Sequence, residues 1–252
     1  MNSEHRATVA RPELPPAARR WLDRALPESH QATQGVELRE RGEFLVGERW
    51  LPWRGTHLIW QDDVGFEWTA RMRVFKVLPL RLRDGCGPAD GWGTGKLLGV
   101  LRVRRAKGLE VVRSQLVRHL AELPLAPAAA ALNPALEWID EGPDRVAVHA
   151  RIGDQEATVH LDVDEHGDVV RSHAPDRPRD LPDRTFTDTP FQYSLADHIP
   201  VFLLQVQIRQ GSAGTDLCTC VAVFQAVVFS IADDGRQESG YSGPAGIRIK
   251  DR

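Results

Sequence analysis

The residues best placed to do chemistry lie on one stretch, Arg113 to Asn133, RSQLVRHLAELPLAPAAAALN. Arg118 and Glu122 stand there at i and i+4, one helical turn apart, with His119 beside them. On a wet helix surface such a pair contributes roughly 0.2–0.5 kcal/mol, and here in the less favourable order. Turned inward, the same side chains would leave water, where burial and neighbouring charge shift pKa values toward acid–base work. In that arrangement Glu122 is the candidate general acid or base and Arg118 the group that orients a carboxylate or enolate. Asp84 or Tyr193 would assist. Of the seven tryptophans, Trp53, Trp68, Trp92 and Trp138 are the candidate apolar lining of a pocket that Arg118, His119 and Glu122 complete. Core packing is the competing use of the same rings.

Other spacings fall short of a site. Gly95-Lys96 ends a glycine-rich run like a nucleotide loop, but Asp90 stands where glycine is needed, Leu97 where Ser or Thr is needed, and no helix is expected to follow. Asp162, Asp164 and His166-Gly167 resemble the start of a calcium loop whose fifth position is His166 and twelfth His173, so the segment reads as a turn. His149 and His160 fall on one polar strand face, two nitrogen ligands without a third fixed by spacing. No Ser-His-Asp or Cys-His arrangement is defined. The expectation is therefore no metal and no cofactor.

The elements that must position these residues follow from periodicity. Residues 1–13 are expected to be a disordered lead-in, and Pro15 to Leu26 a short helix with Ala18, Trp21, Leu22 and Ala25 on one stripe. From Gly35 the period is two: a strand through Val36, Leu38, Phe44 and Val46, a Gly47-Glu48 turn, and a return from Arg49 to Trp60. Phe66, Trp68, Ala70, Met72 and Val74 then alternate with polar residues, as in a half-buried antiparallel strand. Residues 84–95, DGCGPADGWGTG, read as a loop, and Leu97–Val103 with Leu109–Val112 as a hairpin. Ser114 reads as the N-cap of the central helix. A second short helix starts at Pro127.

After Leu136 to Asp140 comes a hairpin whose register is nearly specified. A Gly153-Asp154 turn sets Val148 opposite Val159, Ala150 opposite Ala157 and Val146 opposite Leu161, with Arg145 facing Asp162 and Arg151 facing Glu156 on the other side. A strand over Asp168–Ser172, a proline-rich connection to Asp183, and strands within Thr185–Ser194, Ile199–Ile208 and Leu217–Ile231 follow. The last is apolar on both faces and so reads as a central strand. Residues 232–252 are expected to form a mobile tail with a short strand-like end at Ile247 and Ile249.

These elements predict a mainly β (α+β) fold: one large curved antiparallel sheet or half-barrel, with short helices covering its concave face. The expected domain spans 14–231, with a helical insert at 113–133. At 252 residues with 42% hydrophobic content a sizeable core is available, and a net charge of -3 gives no global pull toward nucleic acid or membrane, though local basic patches remain open. No window reads as a secretory signal or a membrane span, so the expectation is a cytoplasmic protein with Cys86, Cys218 and Cys220 reduced.

The N-terminal LPPAARRWLDRAL, Gly42-x-Phe44, Trp50-Leu51-Pro52-Trp53, Gly65-Phe66-Glu67-Trp68-Thr69-Ala70, Gly91-Trp92-Gly93, Val117-Arg118-His119-Leu120-Ala121-Glu122 with Pro127, and Leu136-Glu137-Trp138 occur in that order. This series resembles a bacterial family of unknown function, from about Leu14 to about Phe229. The last third departs from the pattern, with no tryptophan near Gln207 and Phe191-Gln192-Tyr193 in place of an Asp-Tyr segment. By analogy the strand–helix–strand order is similar to the curved half-barrels of lipoprotein carriers. The leading expectation is a protein that binds a hydrophobic or amphipathic small molecule between sheet and helices, with no nucleic-acid partner and no oligomeric state specified. The alternative is an enzyme acting on such a molecule through Glu122 and Arg118. A third, a partner for another protein, would need an exposed apolar patch.

Overall fold

Alternation at period two over residues 35–106 becomes six consecutive strands: β1 (Gly35–Val46), β2 (Arg49–Trp60), β3 (Phe66–Val74), β4 (Leu78–Gly87), β5 (Asp90–Leu97) and β6 (Leu101–Ala106). A helix α1 (Pro16–Ala25) precedes them. After them come α2 (Leu109–Glu122), a single 3-10 turn at Leu123–Leu125 and α3 (Pro127–Leu132). The chain then makes β7 (Glu137–Asp140), β8 (Arg145–Ile152), β9 (Gln155–Val163), β10 (Val169–Asp180), β11 (Phe186–Ala196), β12 (Leu204–Gln210) and β13 (Cys218–Val227). The computed structural model describes residues 13–26, 35–46, 49–180, 186–196, 204–210, 218–227, 230–231 and 237–238.

All thirteen strands join one antiparallel sheet in the order β6-β5-β4-β3-β2-β1-β13-β12-β11-β10-β9-β8-β7. Its two halves meet where β13 lies between β1 and β12, the central position that its two-sided apolar sequence predicts. The order has two ends, β6 and β7, so the sheet does not close into a barrel. Its curvature follows from α2. That helix touches β4 and β5 on one flank and β8, β9, β10 and β11 on the other. β5 and β9 are nine steps apart in the sheet, about 43 Å if it were flat at about 4.8 Å per step. Fourteen residues of helix reach only about 21 Å, so the sheet must curl around α2. The protein is thus mainly β, with short helices on the concave side.

The β8–β9 hairpin has the expected register throughout, with Arg145–Asp162 at 2.6 Å and Arg151–Glu156 at 2.8 Å. On its apolar face Val146, Val148, Val159 and Leu161 are fully buried. α1 packs on this flank through Ala17, Ala18, Trp21 and Leu22. Arg20 fastens it, donating to the carbonyls of Asp164 (3.0 Å) and Val163 (3.2 Å).

Three expectations are corrected. Residues 84–95 are not a loop but the ends of β4 and β5, because their glycines permit close approach rather than a turn. A Cβ on Gly91 would lie 2.8 Å from Val112 Cα, and one on Gly85 2.6 Å from the Trp92 ring. Leu109–Val112 is not a strand but the first turn of α2, so Gly108 rather than Ser114 precedes the helix. Val112 reaches the core only because Gly91 leaves room for its backbone. The proline-rich run after Ser172 is part of β10 rather than a connection. Pairing with β9 stops at His173–His160, and the sheet is irregular between Ala174 and Arg177, so Pro175 forfeits no hydrogen bond to β9. A second, two-stranded sheet pairs β14 (Ser230–Ile231) with β15 (Gln237–Glu238). The expected disordered lead-in, apart from Glu13, and the rest of the expected 232–252 tail, including Ile247 and Ile249, lie outside the described residues.

Candidate functional site

The i, i+4 spacing on α2 points Arg118 and Glu122 inward. The Arg118 Nε donates to Glu122 Oε1 at 2.9 Å, and the side chains are only 13% and 4% exposed. The guanidinium lies 4.8 Å from the Trp68 ring centre and 5.2 Å from that of Phe66, both on β3, a cation–π arrangement. Its NH1 is 3.6 Å from Asp84 Oδ2 on β4, and Asp84 Oδ1 accepts from Arg104 on β6 at 2.7 Å. Gly93, opposite Asp84 on β5, makes room for that pair: a Cβ there would sit 2.9 Å from Asp84 Oδ1.

The other end of this charged chain runs into the sheet. Glu122 Oε2 is 3.5 Å from His57 Nε2 on β2, and His57 Nδ1 is 3.1 Å from Glu40 Oε1 on β1. Glu40 Oε2 in turn accepts from Trp68 Nε1 at 2.6 Å. Arg104, Asp84, Arg118, Glu122, His57 and Glu40 therefore form one series from a half-exposed edge to the sheet interior. Three carboxylates face two guanidiniums, with an imidazole between two of the carboxylates. The imidazole is hydrogen-bonded to Glu40 and lies near Glu122 at 3.5 Å, and the series as a whole is richer in acceptors than in cations.

His119 lies beside this series, its ring parallel to that of Phe66 with centres 6.1 Å apart. Burial, reinforced by His57 and opposed by Glu122, pushes its pKa down to about 4, so it is neutral at pH 7. Neither ring nitrogen has a hydrogen-bond partner among the described residues, and the same holds for Trp53 Nε1 and Gln115 Oε1. Cys86, also buried, has its thiol pushed up to about 12 by burial and is unreactive.

Of the residues singled out from sequence, the structure brings together Arg118, His119, Glu122, Asp84 and Trp68. Trp53 adjoins them, stacked on Phe44 at 5.2 Å and edge-on to Trp68 at 5.4 Å. Trp92 flanks the helix, its carbonyl accepting from Gln115 at 3.3 Å. Trp138 stands apart on β7, 6.2 Å from Trp21 of α1. Tyr193 pairs with Ser172 and Ile208 in β11, but its side chain lies outside those described. So do the side chains of Cys218 and Cys220, on β13. Arg118, which the enzyme alternative has orienting a carboxylate or enolate, is in contact with two protein carboxylates, Glu122 and Asp84.

Sequence reasoning passed over Glu40 and His57. Their signal was parity: Val36, Leu38 and Glu40 on β1, and Trp53, Gly55, His57 and Ile59 on β2, share the inward face. A charged or imidazole side chain at such a position is unusual.

A cavity of about 330 Å³ lies on the other side of α2, lined by Arg113, Val117, His149, Thr158, His160 and Asp176 among others. Its histidines are engaged, His149 with Thr158 Oγ1 at 3.0 Å and His160 with Glu141 Oε2 at 2.8 Å. No cluster that could hold a metal ion occurs among the described residues. None of their helices is long and apolar enough to cross a membrane.

A family of unknown function, DUF6544, matches residues 5–203. The chain belongs to the DUF6544 family. No curated protein matches it. The span shared with DUF6544 takes in α1 and every member of the charged series from Glu40 to Glu122, and it ends just before β12.

Proposed function

We propose that this DUF6544 protein binds a hydrophobic or amphipathic small molecule inside the curl of its sheet, against α2. The observation that carries this reading is His119, fully buried on the inward face of α2 with neither ring nitrogen partnered among the described residues, within a neighbourhood that also buries the Trp53 N–H. An unsatisfied buried polar group costs about 1–3 kcal/mol, a cost removed by a ligand that both donates and accepts. Phe44, Trp53 and Trp68 supply an apolar wall beside it. Because Arg118 is already held by Glu122 and Asp84, the matching polar group is neutral or cationic rather than a carboxylate. Native mass spectrometry of the purified chain, with a thermal-shift screen of lipid extract, tests this. A co-purifying mass or a raised melting temperature is expected; the absence of both sinks the reading.

One observation favours a second reading, acid–base catalysis on such a molecule: His57 stands between Glu40 and Glu122, a relay that could reset the protonation state of Glu122. Once a ligand is known, turnover by the parent and its loss in both His57→Asn and Glu122→Gln, with ligand binding retained, would support catalysis. Retained turnover in both variants would end it.

A further inference from the structure

The outward face of β1–β6 carries a ladder of like charge. Arg41 lies directly opposite Arg54, Arg54 opposite Arg71, Arg71 opposite Arg81, Arg81 opposite Lys96, and Lys96 opposite Arg102. Six exposed basic side chains thus form one row across six neighbouring strands, about 24 Å wide at about 4.8 Å per strand. Like charges directly opposite one another destabilise a sheet. None of the six makes an ion pair among the described residues. A second row beside it runs Arg39, Thr56, Thr69, Arg83, Thr94 and Arg105, adding hydroxyl groups to the guanidiniums. From Arg71 to Lys107 the sequence holds ten basic residues and two acidic ones, in a chain whose net charge is -3.

The same strands end in two adjacent apolar tips. In the β3–β4 turn Phe75 and Val77 are each 72% exposed, and around the β5–β6 turn Leu98, Val100, Leu101 and Val103 are 54%, 84%, 57% and 53% exposed. The turns neighbour each other, since the Leu98 N–H donates to the Pro79 carbonyl at 2.8 Å. Phe75 and Lys76 have φ of 51° and 66°, and Leu98 and Gly99 have 55° and 76°. Bulky side chains rarely occupy that left-handed region, so both tips keep an apolar residue where Asn or Gly would be less strained.

We propose that this face and its tips dock on an anionic lipid bilayer. Phosphate groups alone would match the ladder, but a nucleic acid gives no use for six exposed aliphatic and aromatic side chains at the turn tips. A bilayer surface uses both: the tips enter the boundary between headgroups and acyl chains, while the Arg and Lys side chains meet the headgroup phosphates. The docking is peripheral and stands independently of the ligand-binding reading.

The test is co-sedimentation of the full chain with vesicles of phosphatidylglycerol and phosphatidylcholine in equal parts, against vesicles of phosphatidylcholine alone. Two variants accompany it: Arg71→Gln/Arg81→Gln/Lys96→Gln for the ladder and Phe75→Asn/Val77→Ser/Val100→Ser for the tips. Thermal melts confirm that both fold, as substitution at exposed positions predicts. The parent is expected to bind the mixed vesicles and not the neutral ones, to release them as salt rises, and to lose about tenfold or more in affinity in either variant. Failure to bind the mixed vesicles, equal binding to neutral ones, or full binding by the tip variant would overturn the proposal. So would tighter binding to a single-stranded oligonucleotide that the ladder variant weakens and the tip variant does not.

Discussion

Two stretches of the same sheet treat charge in opposite ways. On β8–β9, Arg145 faces Asp162 and Arg151 faces Glu156, so each cation has its counter-ion on the next strand. Across β1–β6 one row of facing residues, from Arg41 to Arg102, is all basic, and on the inner side of those strands the charges are buried in one connected series. Both arginines of the hairpin are thus neutralised within it, and Asp162 also accepts from Arg171 of β10. The β1–β6 half carries imbalance on both faces, outward as an unneutralised ladder and inward as three carboxylates against two guanidiniums. Stability alone favours the first pattern, and the second is the pattern on which both proposals, ligand binding and bilayer docking, are built.

The largest effect that would sharpen this contrast lies in the interior. Glu122→Ala leaves Arg118 buried with one counter-charge fewer and removes the carboxylate beside His57, and should cost about 3–5 kcal/mol in urea unfolding. A cost below about 1 kcal/mol would show that the series is not coupled through Glu122.

Next comes acid. With its pKa lowered to about 4 in the fold against about 6.5 unfolded, His119 is protonated more readily in the unfolded chain. Stability attributable to it is complete above about pH 6.5, is lost as pH falls toward 4, and changes no further below that. The loss amounts to about 3 kcal/mol. His173, also lowered by burial, contributes in the same direction, so the measurement is the difference between the parent and His119→Phe. The variant's melting temperature should fall less steeply between pH 6.5 and 4. Parallel curves would remove His119 as a buried neutral group.

Smaller effects compare the outer faces directly. Arg71→Glu places an acid between Arg54 and Arg81 and should raise stability by about 0.5–1 kcal/mol, while weakening vesicle binding. Arg151→Glu on the hairpin sets two acids face to face, and should lower stability by about 0.5 kcal/mol because that pair is largely exposed. Changes of the same sign in both variants would erase the distinction between the two regions.

Much of the molecule is local enough to read from sequence. Period-two alternation defines the faces of β1–β3 and β8–β9, and a two-residue turn with matched apolar and charged partners specifies the β8–β9 register because a slip of one residue would invert every side chain. The two-sided apolar run of β13 marks a central strand, and i, i+4 spacing pairs Arg118 with Glu122. What only the tertiary structure decided is which of these surfaces meet. Glu40 and His57 join Glu122 because the sheet curls around α2, a consequence of pairings between distant segments, β1 with β13 among them. The basic ladder depends on turns whose central residues, Phe75-Lys76 and Leu98-Gly99, adopt left-handed conformations that Phe, Lys and Leu do not announce. Side-chain parity is a local property of the chain; register across six strands and the closure of a sheet around a helix are not.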